Sequence, residues 1–156
     1  MRLVVAVVGK ARNKALGEAI RDYETRAARY WPLEVHEVRE ERAGAGADSR
    51  ERVREREGAR LAEKIPEGVR TVACEVGGRA LDSERFAELL RSAREQDRDL
   101  AFLIGGAFGL AADLSTRSQM RLSLAPWTLP HELARLVLAE QIYRAGTIVR
   151  GEPYHK

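Results

Sequence analysis

The 156-residue chain is 44% hydrophobic and 33% charged, which excludes the depleted composition of a disordered protein and fits one globular domain with no dividing linker. Its 27 basic and 24 acidic residues leave a net charge of +3, a mild pointer to an anionic partner. No apolar run approaches the ~20 residues of a membrane span, the start lacks the length and cleavage site of a signal peptide, and the single cysteine, Cys74, permits no internal disulfide and belongs to no metal-spaced cluster, so a reducing cytoplasm is expected.

Arg2 to Val8 is apolar and β-rich and stops at Gly9, which predicts a buried first strand. From about Asn13 to Tyr30, the residues Leu16, Ile20, Tyr23, Ala27 and Tyr30 recur at steps of three or four, one face of a helix that Pro32 closes. Leu33 and Val35 alternate with Glu34 and His36 before the pattern slips at Glu37 and Val38, a second strand with one wet face. Arg39 to Ala47 ends in Ala-Gly-Ala-Gly-Ala, packs poorly and is expected as a mobile surface loop, after which Asp48 or Ser49 caps a charged helix ending near Ile65. The Arg/Glu mixture from Arg50 to Glu57 reads as a solvated face, with a phosphate-tracking face as the alternative. Val69 to Val76 is expected as a third strand, Gly77-Gly78 as a turn, and Ser83 as the N-cap of a helix on which Phe86, Leu89, Leu90 and Ala93 share a face.

Leu100 to Ile104 is apolar without alternation, as a strand covered on both faces should be, and runs directly into Gly105-Gly106. A short helix from about Ala111 and a strand near Met120 to Leu124 follow, and the segment Ala125 to Pro130 breaks the pattern. A helix from His131 to about Gly146 places Leu133, Leu136, Val137, Glu140 and Tyr143 close together, and the tail Gly151 to Lys156 is expected extended. Strands alternating with helices argue for an α/β fold with a mostly parallel sheet, whose ligands sit beyond the carboxyl ends of the strands, where the loops after Ile104 and Leu124 lie.

A dinucleotide site would need a glycine-rich turn after the first strand, but Gly9-Lys10-Ala11-Arg12 offers one glycine, and no phosphate-binding Lys-Ser/Thr motif occurs, which speaks against NAD and ATP chemistry. Gly105-Gly106-Ala107-Phe108-Gly109 is the richest glycine cluster, either a plain strand-to-helix turn or a place where backbone approaches a ligand. In Ala125-Pro126-Trp127-Thr128-Leu129-Pro130 the two prolines stiffen a stretch that either presents backbone donors and acceptors to a base edge beside the apolar Trp127 and Leu129, or plugs the sheet edge. His131 fits a capping or first-turn position.

Leu103-Ile104-Gly105-Gly106-x-x-Gly109-Leu110, then Leu122-Ser123-Leu124 with Thr128-Leu129-Pro130-His131, then Glu140-Gln141-Ile142-Tyr143-Arg144-Ala145 and a terminal Pro153-Tyr154-His155 resemble the RlmH family of SPOUT methyltransferases over essentially the whole chain. The resemblance implies a SPOUT-type α/β fold with a C-terminal deep trefoil knot spanning about residues 99–156. It also implies a homodimer that binds S-adenosylmethionine and methylates N3 of a pseudouridine in helix 69 of 23S rRNA in the assembled ribosome. Carried over by position, Cys74, Gly105 and Leu124, Ala125, Pro126, Trp127, Thr128 and Leu129 would hold the donor. Cys74 stands where the family commonly has leucine, and Phe108 where an acidic residue or tyrosine is expected, so this chain departs from the family pattern at both positions. Cys74 serves better as a small apolar wall than as a nucleophile, since nothing in the sequence supplies an activating base.

An activated methyl donor leaves the protein to align two atoms and to help remove one proton. On the acceptor side Arg144 can hold phosphate bidentately or pair with Glu140 four residues before it. Tyr154 can stack on a splayed base and His155 relay a proton, or both can belong to a frayed terminus, and the resemblance favours an acceptor role at a site shared between two subunits. A SPOUT enzyme with another RNA target, and a non-catalytic ribosome-associated protein that binds adenosyl ligands, are the competing functions.

Overall fold

Strand β1 (Leu3–Val8) is buried along its whole length, because helices cover both faces of the sheet it occupies. Leu3, Val5 and Val7 point into one core, Ala6 and Val8 into the other. The computed structural model describes residues 1–155, the last of them, His155, by its backbone alone. Five parallel strands lie in the order β2-β1-β4-β3-β5, with β2 at Leu33–Val38, β3 at Arg70–Ala80, β4 at Leu100–Ile104 and β5 at Met120–Ser123. Helices α1 (Lys14–Ala27), α3 (Ser83–Glu95) and α5 (His131–Val149) pack on one face, and α2 (Ser49–Ala62) and α4 (Ala112–Arg117) on the other.

The first helix starts where Asn13 accepts a hydrogen bond from the Leu16 amide at 3.1 Å, satisfying one of the orphan donors of its first turn. It ends three residues before Tyr30, and the turn that follows drops Trp31 into the core, where its indole N–H donates to the Ile142 carbonyl at 3.0 Å. A buried indole must find such a partner, so this bond ties the end of α1 to α5.

Two expectations about β3 and α3 are corrected, and the buried face of α5 is fixed. Gly77-Gly78 is no turn: β3 continues to Ala80, and its pairing with β5 shifts register so that Cys74 and then Arg79 both face Leu122. The four intervening residues bulge out, and Gly78 passes so close to β5 that a Cβ on it would lie 2.6 Å from the Leu122 backbone. The cap of α3 is Asp82 rather than Ser83, with its carboxylate accepting from the Arg85 amide at 2.7 Å, because Asp82 holds the extended backbone that a capping residue needs. The buried stripe of α5 runs through Arg135, Leu138, Ala139, Ile142 and Ala145, so Leu133, Leu136 and Val137 form a partly exposed apolar flank outside both cores.

Arg135 is the charged member of that buried stripe. Its guanidinium donates to Glu24 on α1 at 2.8 and 3.2 Å and to Glu37 on β2 at 2.6 Å. A buried charge is tolerated only when paired and hydrogen-bonded, and this pairing fixes the start of α5 against both elements.

Candidate functional site

The pairing of β3 with β4 ends where Cys74 lies opposite Ile104, the last residue of β4. Beyond Ile104 the chain makes a tight turn in which the Gly109 amide donates to the Gly106 carbonyl at 3.0 Å and Gly109 takes φ +81°, a conformation costly for any other residue. Gly105 is required for a different reason: a Cβ there would sit 2.5–2.7 Å from the Gly109 carbonyl group and the Leu110 nitrogen.

This turn, the Cys74–Val76 stretch of β3 and residues Thr128 to His131 enclose a cleft of about 510 Å³. A smaller hollow of about 60 Å³ adjoins it beneath Leu124, Ala125, Trp127 and Leu129, with Cys74, Glu75, Val76, Leu129 and Ala134 bordering both. The structure therefore gathers Cys74, Gly105, Leu124, Ala125, Trp127, Thr128 and Leu129 around one space, and Pro126 stands within the same loop between two bordering residues. The Ser123 hydroxyl donates to the Ala125 carbonyl at 2.8 Å and folds the start of that loop back on itself. Trp127 lies on the rim with 75% of its surface exposed, so only part of the indole contributes to the wall.

Burial pushes the Cys74 thiol up to about 12, and neighbouring Glu75 adds to the rise, so the sulfur remains a protonated apolar wall at neutral pH. His131 opens α5 and faces the cleft, its Nε2 buried and 3.7 Å from Glu40. Nothing in the local sequence pattern marks Glu75 and Val76 as cleft residues. They reach the cleft because the β3 bulge lifts them out of the sheet, and the paired glycines that permit the bulge are the sequence signal for it. Among the described residues no group of three or more His, Cys, Asp or Glu is placed to hold a metal ion, and no helix is long and apolar enough to cross a membrane.

Behind the glycine turn stands Glu57 of α2, a 3% exposed carboxyl whose Oε1 accepts from the Glu41 amide at 3.0 Å and whose Oε2 has no partner among the described residues. Burial raises its pKa, and the acids Glu40 and Glu41 add to the rise against the lowering effect of the Glu41 amide and Arg60. A carboxyl whose folded-state pKa lies above its unfolded value loses stability as pH rises from the unfolded value through the folded one. Glu57→Gln, which keeps the acceptor and removes the charge, should therefore stabilise the protein by about 1 kcal/mol at pH 8, with the gain shrinking toward pH 4. Thermal melts at both pH values test this, and a gain independent of pH would refute it.

Arg144 and Tyr154 lie elsewhere. Arg144 follows Ala134, which borders the cleft, by ten residues of α5, about 15 Å along the helix axis. Its Nε and Nη2 donate to Glu140 Oε1 at 3.0 and 2.7 Å, and the Tyr154 hydroxyl donates to the same oxygen at 3.1 Å. The Tyr154 ring packs 4.6 Å from Tyr143 between centroids, with the Arg144 guanidinium 4.8 Å from its own. The tail is thus a 3-10 turn over Pro153–His155 rather than extended, because Tyr154 finds ring and carboxylate partners on α5. Burial raises the Tyr154 pKa, as do its hydrogen bonds with Tyr23 and Glu140, so the phenol is held as a proton donor. The His155 side chain and Lys156 lie outside the described residues.

Residues 1–155 match the sequence model of a family described as "Predicted SPOUT methyltransferase". A "Ribosomal RNA large subunit methyltransferase H" of Gemmatimonas aurantiaca is 56% identical over 157 residues, covering all of both chains. One of the same name from Syntrophotalea carbinolica is 42% identical over 99% of each. Among solved structures, a probable methylase family protein of Haemophilus influenzae superposes with a TM-score of 0.59 at 11% identity, over 99% of this chain and 70% of that one. A probable rRNA-methyltransferase of Porphyromonas gingivalis gives 0.51 at 14% identity, over 96% and 70%; these two likenesses concern the fold.

Proposed function

The chain belongs to the SPOUT methyltransferase family, and from that premise we propose that it transfers the methyl group of S-adenosylmethionine to N3 of a pseudouridine in helix 69 of large-subunit rRNA, within the assembled ribosome. The observation that carries the donor assignment is the cleft between the carboxyl end of β4 and the bulge of β3. Its volume of about 510 Å³ falls in the range of ligand sites. Apolar walls at Cys74, Ile104 and Leu129 suit a nucleoside face, and the backbone of Leu124 to Leu129 offers donors and acceptors for a base edge. Gly105 and Gly106 let the turn approach without side chains.

A sulfonium donor supplies an already activated methyl group. The protein's own work is to hold that group in line with the attacking nitrogen, to keep water away and to manage the nitrogen's proton. The walls and the two loops do the first two. Arg144, Tyr154 and His155 are assigned to the acceptor, with Arg144 holding phosphate or orienting the tail through Glu140 and Tyr154 donating a hydrogen bond rather than removing a proton.

The separation of this cluster from the cleft within one chain supports a homodimer in which the tail of one subunit completes the site of its partner. The apolar flank of α5, Leu133, Leu136 and Val137, offers a surface for that association. A trefoil knot through residues 99–156 belongs to the same reading.

The test is to incubate the protein with methyl-labelled donor and ribosomes lacking the modification, then map the labelled nucleoside. Label confined to one helix 69 pseudouridine is the expected result. Label at another base would assign a different RNA target, and saturable donor binding without transfer would make the protein a binder rather than an enzyme.

A further inference from the structure

Around the β2–α2 loop the acidic side chains are engaged by internal partners. Glu37 holds Arg135 at 2.6 Å, Glu40 holds Arg12 at 2.6 Å, and Glu41 holds Arg60 and, at 3.2 Å, Arg56. The cations interleaved with them fare differently: Lys10, Arg39, Arg42 and Arg52 make no ion pair among the described residues. Asp48 is likewise without one, so the unengaged charge on this surface is an excess of cations.

These four residues border two hollows. One, of about 670 Å³, lies between Gly9–Arg12 and Glu37–Arg42. The other, of about 260 Å³, lies between the loop from Gly44 to Asp48 and the Arg52–Arg56 turn of α2. Glu41 and Arg42 border both, so the hollows form one track. Its inner end reaches Glu40, whose carboxylate stands 3.7 Å from His131, and His131 borders the methyl-donor cleft. On the same side, the Arg50 guanidinium lies 5.4 Å from the centre of the Phe108 ring, inside the glycine turn. Unpaired arginines and a lysine along a concave track, next to an arginine stacked on an aromatic ring, are the chemistry that follows a nucleic-acid backbone.

We infer that the track from Arg52 through Arg42 and Arg39 to Lys10 holds phosphates of the acceptor RNA and leads the strand to the cleft. The inference rests on the RNA-methylating reading and adds to it a surface and a direction of approach. It also gives the residues of α2 a role beyond that of a solvated charged face, since Arg52 contributes to the track while Arg54 is engaged by Glu51.

The experiment measures methyl transfer to unmodified ribosomes across a salt series, for the wild type and for Arg42→Ala/Arg52→Ala. Both side chains are exposed, so the variant keeps the core. Loss of two phosphate contacts should lower the slope of log affinity against log salt by about two and raise KM for ribosomes about tenfold at moderate salt, with donor affinity and kcat at saturation unchanged. Arg98→Ala, which removes an exposed cation at the opposite end of the sheet, should change neither slope nor KM. An unaltered slope in the double variant, or an equal loss in Arg98→Ala, overturns the track. A wild type that transfers no methyl group to ribosomes would overturn the function itself, which is a distinguishable outcome.

Discussion

Removing Pro153 to Lys156 should cut methyl transfer to ribosomes at least about a hundredfold while leaving donor affinity, measured by calorimetry, within about twofold of wild type. The reason is spatial. The proposed donor cleft is bordered by Cys74, the glycine turn and the 124–131 loop, and none of the described tail residues lines it. What the tail does contribute is Tyr154, locked to Glu140 at 3.1 Å and packed between Tyr143 and Arg144. Deletion removes that unit and leaves Arg144 to its ion pair with Glu140. Tyr154→Phe is the finer probe, because it keeps the ring contacts and loses only the hydroxyl. It should reduce kcat about tenfold, in keeping with one lost hydrogen bond to a charged group. A truncated protein that methylates ribosomes at the normal rate would remove the tail from the site.

Gly105→Ala should have the opposite signature, with donor affinity falling at least about tenfold and KM for ribosomes little changed. The added carbon would lie 2.5–2.7 Å from three backbone atoms of Gly109 and Leu110, and backbone cannot step aside as a flexible side chain can. Relieving the clash must open the turn that walls the cleft. Overpacking of this kind costs about 1–3 kcal/mol, so the same change should lower the melting temperature by several degrees. Gly77→Ala is the matched control, since nothing lies within 4 Å of a carbon added there. Calorimetry with both variants decides the matter, and an alanine at 105 that binds donor as tightly as wild type would mean that the turn is not part of the site.

Much of this architecture was legible in residue order. The unbroken apolar runs at Leu3–Val8 and Leu100–Ile104 specify strands covered on both faces, and those two strands are neighbours at the sheet's centre. The three-and-four spacing from Leu16 to Ala27 specifies the first helix. The glycine run after Ile104 and the prolines at 126 and 130 mark the two loops that the structure brings together, because both follow strands whose carboxyl ends lie on the same edge. The likeness to known methyltransferases points to Cys74, Gly105 and Leu124 to Leu129, and of these all but Pro126 border the cleft or its adjoining hollow.

Other features were not readable in one dimension. Gly77-Gly78 has the composition of a turn, and only the approach of β5 makes it a bulge in a continuing strand. On α5 the stripe Leu133, Leu136, Val137 has the spacing of a core face, yet Arg135, Leu138 and Ile142 are the residues buried, because Glu24 and Glu37 arrive from other elements to neutralise Arg135. The tail has the composition of an extended end, and only Tyr143, Tyr23 and Glu140, arriving from α1 and α5, give Tyr154 the partners that fold it.

Residue order alone settles periodicity and the identity of the two loops after Ile104 and Leu124, since each depends on neighbours within a few positions along the chain. The cleft itself, the engagement of Glu37, Glu40 and Glu41 that leaves Lys10, Arg39, Arg42 and Arg52 without an ion pair among the described residues, and the separation of Arg144 from the cleft depend on groups brought together from distant positions. Those are set by strand register and helix packing, and only the folded chain decides them.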